Sequence, residues 1–374
     1  MAERPLGIGL VGVGGFGLFC LAAFAEMPEL QVVAAADSDP ARAQKAAPYG
    51  ARVYARFSDL LADPDVDIVA INTPPHLHAP MALEAARAGK HLFVEKPLAT
   101  SLDDARSVIR AAREAGVQLT VDYVLRFHPL HQLAAQIVHS GAFGQLQHVS
   151  LENFATDDTL LPDHWFWDPA QSGGIHVEHG VHFFDICNQL AGRAPDSAAG
   201  TAQSRADGRV DRVSATVRYG DRVLATFYHS FTQIGRIEQT TMRITCARGH
   251  LTLSGWIPTH LTLSGLVDDT ALAALQDLLG EQLDVPERFA GERTVFEHGG
   301  ATETLAARVE AWVEALDRQG DYRRAIQAGV RNLAAAIHGN APLTVTPYDG
   351  LASLAVALAA TESSASGQMV AVIA

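Results

Sequence analysis

The first third of the chain alternates between continuous apolar runs and stretches with helical spacing. Apolar runs such as LGIGLVGVG, LQVVAAAD, DIVAINTP, HLFVEK and VQLTVDYV each predict a buried strand. Between them, GLFCLAAFAEM, PARAQKAA, HAPMALEAARAG and a segment that starts at Ser101 predict helices, the last with a capping pattern completed by Asp104. Buried strands separated by helices are typical of a parallel sheet covered on both faces. The pattern therefore predicts a doubly wound α/β domain over residues 1–125.

From residue 126 the pattern changes to alternating polar and apolar positions with tight turns. QLQHVSLENFAT, RVSATVRYGDRVLATFYHSF and TTMRITCARGHLTLSG predict strands of an antiparallel sheet. Helices are predicted at ETLAARVEAWVEAL, YRRAIQAGVRNLAAAIHG and LASLAVALAA. Residues 265–300 follow neither pattern, and two interpretations stay open for them, a lid and an oligomerisation insert. Residues 126–374 are thus predicted to form a C-terminal α+β domain with a mostly antiparallel sheet.

Composition narrows the class of protein. The chain has 374 residues, of which 48% are hydrophobic and 19% charged, and a net charge of −14 that disfavours nucleic acid as a partner. Three widely spaced cysteines define neither a disulfide framework nor a zinc ribbon. The N-terminus lacks the pattern of a signal peptide, and the longest apolar run, LASLAVALAA, is too short to span a membrane. We therefore expect a cytoplasmic protein without a membrane partner.

The first candidate for chemistry is the turn after the first predicted strand. It reads GVGGFG, with Gly12, Gly14 and Gly17 in the G-x-G-x-x-G spacing. These glycines permit a tight turn, close approach of a pyrophosphate and close packing of helix on strand, while the helix N-terminus faces the phosphates. Since the motif lies between a strand and a helix, it predicts a Rossmann-type dinucleotide site.

Asp37 ends the second predicted strand, 20 residues after Gly17. An acidic side chain at this place can accept hydrogen bonds from the adenosine ribose and repels the extra phosphate of NADP. The following residues, Ser38 and Asp39, offer no arginine for that phosphate, although Arg42 lies one helical turn away. The sequence favours NAD over NADP.

Further motifs resemble the glucose-fructose oxidoreductase, inositol dehydrogenase and rhizopine-catabolism family (Gfo/Idh/MocA). That family pairs a GxGxxG domain with a T-P-N-x-x-H segment and an E-K-P motif. Here the first of these reads TPPHLH from Thr73, with Pro75 in place of Asn, and the second is intact at Glu95 to Pro97. The resemblance continues through YVLRFHPL, WFWDPAQSGG and DGLASLAVALAATESSASGQMV, and so spans nearly the whole chain. It implies a helix-backed open sheet in the second domain.

A lysine followed by proline at the carboxyl end of a parallel strand places its ammonium in the crevice where such sheets bind ligands. Lys96 is therefore predicted to be functional. Glu95 is interpreted as a ribose or nicotinamide contact, and His78 either helps to seat the cofactor or starts its helix. The predicted cofactor-binding residues are Gly12, Gly14, Gly15, Phe16, Gly17, Asp37, Ser38, Thr73, Pro74, His78, Glu95 and Lys96.

The histidine-rich stretch SGGIHVEHGVHFFD resembles the family's G-G-x-x-x-D-x-G-x-H-x-x-D motif, with Glu178 where Asp is usual. Residues four apart share one side of a helix, so Glu178 and His182 can face one pocket. The resemblance implies that the acid binds substrate and that the histidine transfers a proton. The predicted catalytic residues are Lys96, Glu178 and His182, and the predicted substrate contacts are Lys96, Arg126, Trp167, Glu178, His179 and His182.

A metal site is the main alternative for this stretch, because His176, His179 and His182 recur at every third residue. This spacing drifts around a helix by about 60° per step, so only neighbouring pairs converge. There is no H-E-x-x-H order, and hydride transfer to a nicotinamide needs no metal. We predict no metal. For His176 and His179 we favour a position in the pocket or helix without a role in proton transfer. Two interpretations, scaffold and sugar-stacking group, stay open for a further set of residues, which comprises Arg126, Asp185, Trp165 and Trp167.

Together these features predict an NAD-dependent oxidoreductase that transfers a hydride between nicotinamide and a hydroxyl-bearing carbon of a sugar, inositol or related polyol. Two alternatives stay open. One is an NAD-dependent glycosidase that acts by transient sugar oxidation and elimination, and the other is a non-catalytic NAD-binding sensor. Because one face of such a sheet commonly forms subunit contacts, we expect a homo-oligomer, a dimer or a tetramer.

Overall fold

A computed structural model describes residues 4–290, 294–298 and 300–374. The first part of the chain forms a six-stranded sheet and its covering helices. The strands are β1 (Leu6–Val11), β2 (Leu30–Ala36), β3 (Arg52–Tyr54), β4 (Ile68–Ile71), β5 (His91–Val94) and β6 (Leu119–Val121). The helices are α1 (Gly15–Ala25), α2 (Pro40–Ala43), α3 (Phe57–Leu61), α4 (His78–Arg87) and α5 (Leu102–Ala115), with 3₁₀ turns at Gln44–Tyr49 and Pro75–Leu77.

The strand order is β3-β2-β1-β4-β5-β6, and every pair is parallel. The order reverses between β1 and β4, which opens a crevice at the carboxyl ends of the strands. All residues of β1 and β4 are buried, as continuous apolar runs require. The doubly wound parallel sheet is confirmed. Helix α5 begins after Ser101, whose hydroxyl accepts a hydrogen bond from the amide of Asp104 at 3.2 Å, as the capping pattern predicts.

The rest of the chain forms a larger sheet backed by helices. The strands are β7 (Leu146–Thr156), β8 (Ser197–Ser204), β9 (Val210–Tyr219), β10 (Val223–Gln233), β11 (Gln239–Cys246), β12 (Gly249–Ser254), β13 (His260–Val267), β14 (Leu283–Arg288), β15 (Val295–His298), β16 (Ala301–Thr304), β17 (Ala307–Glu314) and β18 (Val370–Ala371). The helices are α6 (Pro129–Ser140), α7 (Pro169–Ser172), α8 (Val181–Ala191), α9 (Asp269–Leu279), α10 (Arg318–Ile337) and α11 (Pro347–Ser366). Short helical turns lie at Val124–Phe127, Trp165–Trp167, His176–Gly180, Gly235–Ile237 and Gly280–Gln282.

Ten of these strands form one sheet in the order β14-β17-β13-β12-β11-β7-β10-β9-β8-β18. The pairs are antiparallel except for β7 with β10, and β15 and β16 form a separate hairpin. The predicted open, mostly antiparallel sheet is therefore confirmed. Its buried face packs against the helices, and α8 and α11 lie close to it.

One predicted helix is wrong. ETLAARVEAWVEAL, residues 303–316, was expected to be helical, but β16 and β17 cover most of it. In β17, Ala307, Val309, Ala311 and Val313 are buried and alternate with more exposed residues. Alanine, glutamate and leucine favour helices, but the two-residue period lets this segment pair with β13 and β14, and that pairing overrides the intrinsic propensity.

Residues 265–300, which no sequence pattern explained, contain the end of β13, helix α9, strand β14 and strand β15. Strand β14 pairs with β17 at the edge of the large sheet, with Leu283 opposite Ala311. Residues 291–293 and 299 lie outside the described residues. A lid or an oligomerisation role for this segment stays a prediction.

The C-terminal helices pack back onto the first sheet. Gln327 in α10 donates to the carbonyl of Ala23 at 2.9 Å, and the Thr120 hydroxyl donates to the carbonyl of Val345 at 2.8 Å. The division of the chain at residues 125 and 126 stays a prediction, because the last segment contacts both sheets. Within the described ranges, no helix combines the length and apolar character needed to cross a membrane.

Candidate active site

The glycine turn after β1 has the geometry of a phosphate cradle. Gly12 has φ of +90°, and a Cβ there would lie 2.6 Å from the carbonyl oxygen of Asn72. A Cβ on Gly17 would lie 2.0 Å from the carbonyl oxygen of Gly12, so this glycine lets α1 pack closely on the turn. In contrast, Cβ atoms on Gly14 and Gly15 would meet nothing within 4 Å. The two outer glycines are needed by the fold, whereas the two between them border open space.

The N-terminus of α1 borders the same space. Its N-cap is Gly14, which has no side chain to cap the helix, and the first turn contains no acidic residue. The first amides of the helix are therefore left for an external acceptor, and the helix dipole favours an anion there. These residues fit the diphosphate of a dinucleotide. Phe16, in the first turn, packs beside Tyr322 with ring centroids 6.1 Å apart.

Asp37 lies next to this turn. One carboxylate oxygen accepts from the amide of Val13 at 2.8 Å, and the other accepts from the amide of Asp39 at 2.9 Å. The carboxylate is thus fixed in orientation and keeps acceptor capacity for ribose hydroxyls. Ser38 is exposed, and Arg42 points to Asp39 at 3.5 Å.

His78 ties the two family motifs together. Its ring nitrogens lie 2.6 Å from the carbonyl oxygen of Pro97 and 2.7 Å from that of Thr73. Burial lowers the pKa of His78 to about 4, against the influence of the two carbonyl oxygens. Both nitrogens are occupied by main-chain atoms, so the geometry favours a scaffold role that holds Thr73 and Pro74 beside the Lys96–Pro97 segment.

Lys96 and Glu178 form an ion pair across the cleft. The ammonium of Lys96 donates to Oε1 of Glu178 at 2.6 Å and to its main-chain oxygen at 2.8 Å. The two side chains are only 11% and 12% exposed. Burial disfavours the charged form of each side chain, but the attraction between the two opposite charges outweighs this effect. Glu178 and Glu95 hold the pKa of Lys96 above its ordinary value, and Lys96 holds that of Glu178 below its own.

The chain reaches this position through a π-helical turn. Residues His176–Gly180 form the turn, and α8 follows directly from Val181. The wider turn changes the register that a regular helix would give, and Glu178 points at Lys96 while His176 turns towards the carbonyl of Ser214 at 3.2 Å. Of the three histidines in this stretch, His176 therefore faces away from the Lys96 ion pair.

His182 lies in a buried aromatic enclosure beside the ion pair. Its ring is 4.6 Å from that of Trp256, 6.0 Å from that of His179 and 6.4 Å from that of Tyr123, between centroids. Burial lowers the pKa of His182 well below its ordinary value, and the charge of Lys96 adds to the effect. The imidazole is therefore neutral at physiological pH. Its Nδ1 has no hydrogen-bond partner among the described residues.

Arg126 is not aimed at this pocket. Its guanidinium binds the carboxylate of Asp185 through two hydrogen bonds of 2.6 and 2.8 Å, and also reaches Asp349 at 3.2 Å. Arg126 and Asp185 are 7% and 0% exposed. The fork of the guanidinium is used within the protein, which favours a scaffold role over a substrate contact.

Trp167 also lies apart from the ion pair. Its indole N–H donates to the carbonyl of Leu160 at 3.0 Å, and the guanidinium of Arg209 lies 5.2 Å from its ring centre. It lines a cavity of about 590 Å³. The described residues around that cavity include His176 and none of Lys96, Glu178 or His182.

The sequence analysis did not identify three residues that lie near the site. His229 lies in β10, fully buried, with its ring 5.3 Å from that of His179. Trp256 follows β12 and covers both His179 and His182. Asp122 directly follows β6 and is 2% exposed. A histidine in the buried register of FYHSF and a carboxylate after a buried strand were visible signals, whereas the position of Trp256 depends on the fold. Over the described part of the chain, no group of three acidic, histidine or cysteine residues is arranged to hold a metal ion.

Both parts of the chain match models of one family. Residues 6–123 match the GFO_IDH_MocA model, described as an oxidoreductase family with an NAD-binding Rossmann fold, and residues 131–252 match the GFO/IDH/MocA C-terminal domain. The chain therefore belongs to the Gfo/Idh/MocA family of oxidoreductases, as its motifs predict.

Curated relatives align over part of their length. The 1,5-anhydro-D-fructose reductase of Ensifer adhaerens is 35% identical over 181 residues, which are 46% of this chain and 53% of that protein. The D-xylose 1-dehydrogenase (NADP(+)) 2 of Haloferax volcanii is 31% identical over 63% of this chain and 74% of that protein. The chain thus spans about half the length of the first of these relatives. A levoglucosan dehydrogenase in complex with NADH and levoglucosan shares the fold, with a TM-score of 0.78, 21% identity, and 99% and 100% of the two chains covered.

Proposed function

We propose that the protein is an NAD-dependent oxidoreductase acting on a hydroxyl-bearing carbon of a sugar, inositol or related polyol. The observation that carries the proposal is the buried Lys96–Glu178 ion pair beside the neutral imidazole of His182, at the carboxyl edge of the Rossmann sheet. The names of two relatives, a sugar reductase and a sugar dehydrogenase, support this substrate class.

The cofactor would lie across the carboxyl ends of the parallel strands. The amides after Gly14 would hold its diphosphate, Asp37 its adenosine ribose, and the Thr73–Pro74 segment with Glu95 its nicotinamide half. NAD, when bound, supplies the acceptor for the hydride that leaves the substrate carbon. The open space at Gly14 and Gly15 and the uncapped start of α1 support this placement.

Lys96 would hold the reacting oxygen. An ammonium has three donors, and two of them are used by the carboxylate and the main-chain oxygen of Glu178. The third donor is left for a substrate hydroxyl. Because the positive charge is held in a buried site, it stabilises the negative charge that develops on that oxygen.

His182 would accept the hydroxyl proton. A general base must be unprotonated, and burial keeps the imidazole neutral. Glu178 would accept from a neighbouring hydroxyl and orient the ring. Its side chain is one methylene, on the order of 1.5 Å, longer than the family's usual Asp, so the position of that hydroxyl differs from the family's usual geometry.

NAD is proposed over NADP. The carboxylate of Asp37, held by two amides, would repel a 2′-phosphate, and Arg42 points to Asp39. The Haloferax relative is named as an NADP(+) enzyme, so both cofactors belong in the test.

The test is an absorbance screen at the NADH band with a panel of sugars and inositols, each tried with NAD and NADP. Reduction of NAD by at least one neutral polyol supports the proposal. Cleavage of a glycoside without net NADH formation would instead support the glycosidase, and NADH binding without turnover of any polyol would support the sensor.

A cytoplasmic homo-oligomer, a dimer or tetramer, is also proposed. The three cysteines are buried and unpaired, which supports a reducing compartment. The large sheet leaves Trp312 and Leu224 56% and 42% exposed, which supports a subunit contact on that face. Light scattering of the purified protein tests the oligomeric state, and a monomer at all concentrations would refute it.

A further inference from the structure

Three neighbouring strand ends place oxygen-bearing side chains along one edge of the first sheet. Asn72, Glu95 and Asp122 are the first residues after β4, β5 and β6. The amide of each continues the sheet's hydrogen bonding: Asn72 donates to Val11 at 2.8 Å, Glu95 to Ile71 at 2.9 Å, and Asp122 to Val94 at 2.8 Å. The backbone thus fixes the three residues side by side.

Several of these oxygens are buried without a hydrogen-bond partner in the described part of the chain. They are Oδ1 of Asn72, Oε2 of Glu95, and both carboxylate oxygens of Asp122. Buried polar groups are normally paired, because losing water without a replacement is unfavourable. Four unpaired acceptor atoms at one edge indicate that something outside the chain's own atoms completes the site.

The charges of this edge do not balance. Lys96 is the cation here, and it is already paired with Glu178. Glu95 and Asp122 form no ion pair among the described residues, and the other titratable groups that face them, Cys20 from α1 and Tyr322 from α10, carry no positive charge.

These two carboxyl groups therefore hold protons readily. Burial raises the pKa of Asp122 to about 7, with Lys96 opposing the shift. Burial also raises the pKa of Glu95 well above its ordinary value, again against Lys96 and with the help of Asp122. A cation arriving at this edge would make the charged carboxylates favourable and displace a proton to solvent.

We propose that the carboxyl group of Asp122, together with that of Glu95, makes the cofactor site prefer oxidised NAD over NADH. The proposal rests on the NAD-binding function proposed above. The strand order reverses between β1 and β4. Asp37, at the end of β2, places the adenosine half of the cofactor on one side of this point, so the nicotinamide half lies on the side of β4, β5 and β6. The oxidised nicotinamide ring is a cation and the reduced ring is neutral, so a carboxylate at this edge stabilises only the oxidised form. The protein then takes up NAD and releases NADH more readily.

The wild-type protein provides the first test. Isothermal titration with NAD and with NADH, each in two buffers of different ionisation enthalpy near pH 7, measures the protons exchanged on binding. We expect proton release with NAD and none with NADH. Equal proton exchange for the two cofactors would overturn the proposal, and this measurement needs no variant.

The second test compares Asp122→Asn, a neutral side chain of the same shape, with Glu84→Gln on the exposed face of α4. For Asp122→Asn at pH 8.5 we expect the ratio of the NADH and NAD dissociation constants to fall about tenfold, the order expected for a partly screened charge pair in a protein. The ratio should be unchanged in Glu84→Gln. Unchanged ratios in both variants would overturn this inference alone, whereas a wild-type protein that binds neither cofactor would overturn the proposed function.

Discussion

The ammonium of Lys96 lies 2.6 Å from the carboxylate of Glu178, although the two residues are 82 positions apart in the sequence. Lys96 follows a parallel strand, and Glu178 lies in a π-helical turn of the second half of the chain. The cofactor is proposed to bind at the carboxyl edge of the first sheet. The ion pair connects this edge with helix α8, which carries His182. It fixes the place where a substrate hydroxyl would meet a cation and a neutral base together.

Replacing His182 by Gln tests the proposed base. The amide cannot take up a proton, so we expect kcat to fall by about 10²- to 10⁴-fold while the dissociation constant of NADH is unchanged. Turnover on the polyol from the screen and fluorescence titration with NADH measure the two quantities. His139→Gln, on the exposed side of α6, is the matched control. Wild-type turnover in His182→Gln would reject the assignment.

Two glycines of one motif are expected to respond differently. Gly14 has φ of −74° and open space at its Cβ, so Gly14→Val should keep the fold and weaken NADH binding by at least about tenfold. In Gly17→Ala the new Cβ would overlap the carbonyl of Gly12, and we expect a loss of about 1–3 kcal/mol of unfolding free energy. Thermal melts and NADH titration of both variants check this. Full NADH affinity in Gly14→Val would contradict the phosphate cradle.

The scaffold role of Arg126 can be separated from a substrate contact. Arg126→Met leaves Asp185 buried and unpaired, and breaking such a pair costs about 3–5 kcal/mol of stability. The exposed pair of Arg56 and Asp59 offers a control, because water screens this pair and Arg56→Met should leave the free energy of unfolding nearly unchanged. Urea unfolding measures both. A raised KM with unchanged stability in Arg126→Met would show that Arg126 binds substrate instead.

Stability should depend on pH through the buried histidines. Burial lowers the pKa of His176 and His179 to about 4, below the ordinary value of 6.5. Between these values the unfolded chain takes up protons that the folded chain does not, so the stability that each of these histidines contributes is complete above pH 6.5 and is lost as the pH falls towards 4. The buried carboxyl groups of Glu95 and Asp122, whose pKa values are raised, contribute in the opposite direction. The loss is on the order of 3 kcal/mol for each such histidine. Urea unfolding of the wild-type protein and of His176→Gln between pH 4 and 7 isolates this contribution, because the difference between their free energies of unfolding should decrease as the pH falls from 7 to 4. A difference that is constant over this range would contradict the prediction.

Much of this arrangement could be predicted from sequence because it depends on local signals. The apolar runs fix the parallel strands, and Gly12, Gly17 and Asp37 have spacings that few other structures require. Residues 303–316 show the limit, since their helix-forming side chains hide a two-residue period that matters only once β13 is beside them. The site has the same limit. The partner of Arg126 could not be predicted without the fold that brings Asp185 to it.

The most direct test of the central claim is a single-turnover measurement of NADH formation in Lys96→Met with the polyol identified by the screen. NADH titration and a thermal melt establish that the variant is folded and binds cofactor. The account predicts that the rate of NADH formation falls by about 10²- to 10³-fold, the effect of removing one donor to a developing oxyanion, while NADH still binds. A rate equal to that of the wild-type protein would show that the reaction takes place without the Lys96–Glu178 pair, and would contradict the account.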